Sequence, residues 1–153
     1  MITKRIDFDT ISNVWETELW PDRSSPIETH SAMTWPFEGN PQDIDMNIFT
    51  YEPTFWGIYM GDTLVGVNSG HKTSDTQYRS RGIWVHPKFR KKGFAQKLFI
   101  VTANQGLEEG CEMIWSIPRK TALKSYTNFG FETVGGYIKT ETSDSNIYVK
   151  MIL

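Results

Sequence analysis

The chain has 153 residues, 39% hydrophobic and 22% charged, a balance that fits one soluble domain with a substantial core. The formal net charge is -2 and Cys111 is the single cysteine, which excludes an internal disulfide and a cysteine-cluster metal site and argues against a general nucleic-acid binder. No run of 18 apolar residues is present and the N-terminal Met-Ile-Thr-Lys-Arg lacks the apolar stretch of a secretory leader, so a cytoplasmic protein with no membrane span is expected.

In chain order, Asp9 or Ser12 is a candidate cap for a first helix through Val14, Trp15 and Leu19, ending before Pro21. The stretch from Pro21 to Pro53 is rich in Pro, Ser, Asp and Asn and reads as loop with one or two short helical pieces. Aromatics gather in the first 60 residues: Trp15, Trp20, Trp35, Phe37, Phe49, Tyr51, Phe55 and Trp56. Most such rings serve a core and a minority line pockets. Phe55 to Met60 reads as a strand, Gly61-Asp62 as a hairpin turn and Leu64 to Asn68 as the partner strand. Lys72 to Thr76 is polar loop, and Gln77 to Val85 is a third strand that Pro87 stops. A helix begins near Gly93, with Ala95, Leu98, Phe99 and Thr102 on one face, and Gly106 or Gly110 closes it. Met113 to Ile117 has strand length. Thr121 to Phe129 is a second amphipathic helix with Gly130 as its C-cap. Thr133 to Ile138 and Ile147 to Met151 form a closing antiparallel pair around a polar turn. The unit from Gln77 to Ile117 is a βαβ crossover, so its two strands are expected parallel. The expected fold is a single α/β domain spanning residues 1–153, with a mixed, mostly antiparallel sheet, one parallel pair, and helices on both faces.

Charge is unevenly distributed. The segment from Thr76 to Leu107 holds seven of the 16 basic residues and no acid, leaving nine bases against 18 acids elsewhere. A basic patch on an acidic body points to a compact anionic ligand. Within it, Ile83-Trp84-Val85-His86-Pro87-Lys88-Phe89-Arg90-Lys91-Lys92-Gly93-Phe94-Ala95 carries a strand through a basic loop into a helix. A helix N-terminus offers free N–H donors and partial positive charge, and the small Gly93 and Ala95 let an anion approach the backbone. This is the physics of a pyrophosphate cradle, although neither a P-loop nor a Gly-x-Gly-x-x-Gly fingerprint is present. The bland alternative is a solvated basic turn before an ordinary helix.

Arg90-Lys91-Lys92-Gly93-Phe94-Ala95 resembles the Arg/Gln-x-x-Gly-x-Gly/Ala motif of the GCN5-related N-acetyltransferases (GNAT family). Val85-His86-Pro87 before it is similar to that family's strand-Val-x-Pro. Ala122-x-x-x-Tyr126-x-x-x-Gly130-Phe131 resembles its second block, in the expected order and spacing. The resemblance implies the acyl-CoA N-acyltransferase fold, acetyl-CoA as cosubstrate, no metal, a primary amine as acceptor, and a monomer or homodimer. It implies that Ile83, Trp84 and Val85 pair their backbone with the pantetheine arm. It further implies that Arg90, Lys91, Lys92, Gly93, Phe94 and Ala95 hold the pyrophosphate, that the strands Gln77–Val85 and Met113–Ile117 splay apart to admit the thioester, and that Tyr126 is the general acid at the CoA sulfur. Two positions depart from the family pattern: Arg119 stands where many relatives have Asn, and Ile114 where some have a glutamate base.

The candidates for the base are His71, Glu52 and Asp75, with His86 and His30 behind them; the three scattered histidines make no metal spacing. The acid- and aromatic-rich N-terminal third would suit a cationic amine such as a polyamine, an aminoglycoside, or a protein lysine or N-terminus. Two rival readings remain. One is a catalytically inactive CoA-binding module. The other is a nucleic-acid-binding module in which Arg79, Arg81 and Lys88–Lys92 meet phosphates and Trp84 or Phe89 stacks on bases, a reading that the pI near 5.9 weighs against.

Overall fold

Asp7, not Asp9 or Ser12, opens the first helix: its Oδ1 accepts the Thr10 N–H at 2.8 Å, the bond an N-cap supplies. Helix α1 (Phe8–Val14) continues into a π-helical turn (Trp15–Leu19), closed when Trp20 N–H donates to the Trp15 carbonyl at 2.6 Å. The computed structural model describes residues 1–37, 46–140 and 143–153. Residues 38–45 of the expected Pro21–Pro53 loop and residues 141–142 of the expected polar turn lie outside the described residues.

The strands are β1 (Ile2–Arg5), β2 (Thr54–Met60), β3 (Thr63–Lys72), β4 (Gln77–Val85), β5 (Met113–Ser116), β6 (Glu132–Thr140) and β7 (Ser143–Ile152). They form one sheet in the order β1-β2-β3-β4-β5-β7-β6. Every pairing is antiparallel except β4 with β5. The mixed sheet with one parallel pair is therefore as expected, with one added strand. The four residues of β1 carry no apolar alternation and are mostly exposed, so only their pairing with β2 makes them a strand.

Helices α2 (Phe94–Glu108) and α3 (Leu123–Phe129) cover one face. Phe94 and Leu98 pack there on Ile58 and Val65, while Phe99 and Tyr126 pack on Tyr78 and Ile114. The α1 face holds a second layer, in which Ile11, Val14 and Trp15 meet Phe55, Val67 and Trp84. Trp35 is fully buried against Trp115 on that face, so the loop-rich segment contributes to the core there although its first residues are mostly exposed. α2 ends at Gly110, whose φ of 86° is the left-handed value glycine favours. Gly106 instead sits inside the helix, where a Cβ would press on the Tyr78 ring at 3.1 Å.

Candidate active site

β4 changes character at Gly82. Upstream, Arg79 and Arg81 point to the α1 face while Tyr78 and Ser80 point to the α2 face. The β3–β4 register then shifts between Val67 and Ser69, so β4 carries one extra residue there. Gly82 has a φ of 77°, and its carbonyl accepts the Trp15 indole N–H at 2.8 Å. A bulge of this kind bends a strand and re-aims its side chains. Downstream, Trp84 packs on the α1 face and Ile83 and Val85 on the other.

The same stretch loses its neighbour. β5 pairs with β4 only from Gln77 to Arg79, against Met113 to Trp115, while β4 runs on to Val85. The two strands part, and a cleft of about 410 Å³ opens between them. Gly82, Ile83, Ser116, Ile117, Ala122 and Tyr126 line it, together with Leu19, Trp20, Glu28 and Ser31.

At the end of β4, His86 caps a 3-10 turn (Pro87–Phe89) by accepting the Lys88 N–H at 3.1 Å. Arg90 Nε donates back to the Val85 carbonyl at 2.9 Å, pinning the basic loop to the strand end. Lys91 (φ 59°) and Gly93 (φ 84°) take left-handed conformations and turn the chain into α2. The first intrahelical bond runs from Lys97 N–H to the Gly93 carbonyl, and no side chain caps the helix. The leading N–H groups of α2 are therefore free donors. Arg90, Lys91, Lys92 and Gly93 are exposed, and a Cβ on Gly93 would meet nothing within 4 Å. Phe94 is buried in the core and presents only its backbone here; Ala95 is half-buried.

Tyr126 is 2% exposed, its ring tilted against Phe99 (4.6 Å) and edge-on to Phe131 (5.2 Å). Its hydroxyl lies 3.4 Å from Ser116 Oγ at the parting of β4 and β5. Burial raises its pKa above the ordinary 10, so the phenol is protonated at neutral pH. The core and cleft readings of Tyr126 thus merge: the ring serves one and the hydroxyl the other.

The base candidates fare differently. His71 is fully buried, its Nδ1 bonded to the Lys72 carbonyl at 2.9 Å and its Nε2 accepting the Ser31 N–H at 3.2 Å. Burial lowers its pKa to about 3, so it is a neutral structural residue with both nitrogens engaged. His30 is likewise engaged, by Thr29 Oγ1 at 2.8 Å and the Tyr51 carbonyl at 2.7 Å. Asp75 accepts from the Tyr51 hydroxyl at 3.2 Å and, like Glu52, is not among the cleft residues. Glu28, exposed at the rim, is the one acidic side chain in the described lining, and no sequence motif marked it.

The cleft is cationic, which reverses the expected acid-rich acceptor wall. Arg23, Arg79, Arg81 and Arg119 line it against the single Glu28. Arg119 Nη2 donates to the Leu19 carbonyl at 2.9 Å, tying the start of the α3 segment to the π turn across the cleft. Burial lowers Arg79 to about 10 and Arg81 to about 9, and both stay charged at neutral pH. Trp84 is only 8% exposed, so it is not available to stack on bases. Cys111 is buried, with its thiol raised to about 11, which suits packing and not nucleophilic attack.

The Acetyltransferase (GNAT) family model matches residues 13–131. The chain belongs to that family. An aminoglycoside 6'-N-acetyltransferase solved with coenzyme A is similar in fold at 13% identity and a TM-score of 0.70, covering 99% of this chain and 97% of that one. The aminoglycoside 6'-N-acetyltransferase of Enterococcus faecium is similar at 16% identity and a TM-score of 0.69, with 99% and 97% covered. A putative GNAT acetyltransferase of Desulfovibrio desulfuricans is similar at 13% identity and a TM-score of 0.68, with 99% and 98% covered. No curated protein sequence matches the chain. No helix among the described residues is long and apolar enough to cross a membrane, and no group of three or more His, Cys, Asp or Glu there could hold a metal ion.

Proposed function

We propose that this GNAT protein transfers an acetyl group from acetyl-CoA to a primary amine by direct attack. The observation that carries the reading is the parting of β4 from β5 beside the uncapped N-terminus of α2. One feature suits a thioester arm lying along a strand edge, and the other suits a pyrophosphate on free N–H groups. The backbone of Gly93, Phe94 and Ala95 would hold the pyrophosphate, with Arg90, Lys91 and Lys92 adding positive charge around it. Ile83, Trp84 and Val85 would pair with the pantetheine arm through the β4 edge that has no neighbouring strand.

Holding both substrates in one cleft makes the transfer effectively unimolecular. The amine nitrogen bonds to the thioester carbon, the C–S bond breaks, and the thiolate takes the Tyr126 proton. The attacking ammonium first loses a proton to water at the Glu28 rim. A second proton follows from the nitrogen once the amide forms, and solvent reprotonates the phenolate. The neutral, engaged His71 takes no part.

The test is the thermal midpoint with and without acetyl-CoA, followed by amine-dependent release of free thiol. At about 100 times the dissociation constant, ligand binding contributes roughly 2.7 kcal/mol, which shifts the midpoint upward. A shift plus amine-dependent thiol release supports transfer. A shift without release for any amine reduces the protein to a CoA-binding module, and no shift overturns the reading.

A further inference from the structure

We infer that the acceptor amine carries its own anion, a carboxylate or a phosphate, which Arg79 and Arg81 receive on the α1 side of the cleft. This rests on the acetyltransferase reading and names the class of its second substrate.

The two arginines sit two residues apart on β4 and so share a face. They are 8% and 3% exposed. Arg79 lies over the Trp115 ring at 4.9 Å and donates from Nη1 to Ser31 Oγ at 2.8 Å. Its Nε is buried with no hydrogen-bond partner among the described residues. Arg81 lies over Trp15 at 4.8 Å and Trp20 at 5.3 Å, and donates from Nη1 to the Glu28 carbonyl at 2.8 Å. Each of these contacting groups is neutral; the Glu28 carboxylate is near enough to attract Arg81 but makes no ion pair with it. The one ion pair among the described residues joins Lys139 and Asp144 on the surface.

A buried cation without an ion-pair partner is expensive, and two side by side are more so. Each guanidinium has five N–H donors in a planar fork matched to a carboxylate or phosphate. Here an aromatic ring packs on each guanidinium, the protein engages one N–H of each, and both residues belong to the cleft lining. That is a site organised for an oxyanion that the protein itself does not supply.

The pyrophosphate cradle is a separate place. From Arg79 to Val85 the bulged strand matches the five steps of its partner from His71 to Gly66, roughly 17 Å at about 3.3 Å per residue, and α2 begins beyond that end. One anion cannot satisfy both. Glu28 at the rim offers a negative charge for the ammonium of the same molecule.

The experiment uses the full chain, acetyl-CoA and a thiol-release readout, with paired acceptors. L-Amino acids are compared with their carboxamides, phosphoethanolamine with ethanolamine, and spermidine and kanamycin serve as cationic references. The anionic member of a pair should be preferred about tenfold or more in kcat/KM, since a site built to bind a polar group rejects the analogue lacking it. The two pairs separate carboxylate from phosphate. Arg79→Met should raise KM for the preferred anionic acceptor and leave the acetyl-CoA midpoint shift in place. If that variant does not fold, the paired comparison on the unaltered protein decides alone. Transfer that is indifferent to the anion, or that favours spermidine or kanamycin, overturns this inference while leaving acetyl transfer intact. Absence of both midpoint shift and thiol release overturns the acetyltransferase reading and this inference with it.

Discussion

Replacing Gly82 by alanine perturbs the fold and the cleft at one atom. A Cβ there would lie 2.6 Å from Trp15 Cζ2 and closer still to Nε1 and Cε2. The backbone φ of 77° adds strain for any L side chain. Left-handed backbone costs an alanine about 1–2 kcal/mol, and forcing a methyl into a packed core adds about 1–3 kcal/mol. Gly82→Ala should therefore destabilise the protein by roughly 2–5 kcal/mol, or about 4–20 °C in midpoint at 2–4 °C per kcal/mol. Denaturant unfolding followed by circular dichroism measures this. The cause is checked in a double-mutant cycle with Trp15→Phe, whose smaller ring removes part of the obstruction. Gly82→Ala should then cost markedly less in the Trp15→Phe background. A loss under about 1 kcal/mol, or strict additivity of the two changes, would refute the close-approach argument for the bulge.

Acid should destabilise the protein through His71. Its folded pKa is lowered to about 3 while the unfolded value is 6.5, so below 6.5 the unfolded state binds the extra proton. Stability therefore falls as pH drops from 7 to 5, by about 2 kcal/mol from this one group. His71→Gln, which can still accept from Ser31 N–H, should lose that part of the pH dependence in parallel melts; identical slopes would dismiss His71 as the source. Tyr126→Phe should lower kcat by about 100-fold or more if the phenol protonates the leaving thiolate, with little change in midpoint because the Ser116 contact is long at 3.4 Å. Unchanged turnover would remove the phenol from the chemistry.

Local signals determined much of this protein. Pro87, Gly93 and the spacing of Leu98, Phe99 and Thr102 mark where β4 ends and α2 runs, because breakers and helical periodicity are properties of adjacent residues. The first family motif falls in that same stretch and the second runs from Ala122 to Phe131, so candidate cofactor residues and the candidate acid Tyr126 could be named before any fold. β1 was not, since Ile2-Thr3-Lys4-Arg5 has no pattern of its own and becomes a strand only by pairing with β2. The first cap was misplaced because three acceptors, Asp7, Asp9 and Ser12, lie within six residues, and backbone geometry chooses among them. Charge shows the limit most clearly. In sequence, Arg79 and Arg81 join Arg90, Lys91 and Lys92 in one basic stretch. In space they separate: the first two are buried over tryptophans in the cleft, and the last three are exposed at the helix start. Strand alternation, the Gly82 bulge and the packing of Trp15, Trp20 and Trp115 decide this, and those contacts join residues up to 67 positions apart. Composition counts charges, but only tertiary packing decides which of them lose their water without gaining an ion pair.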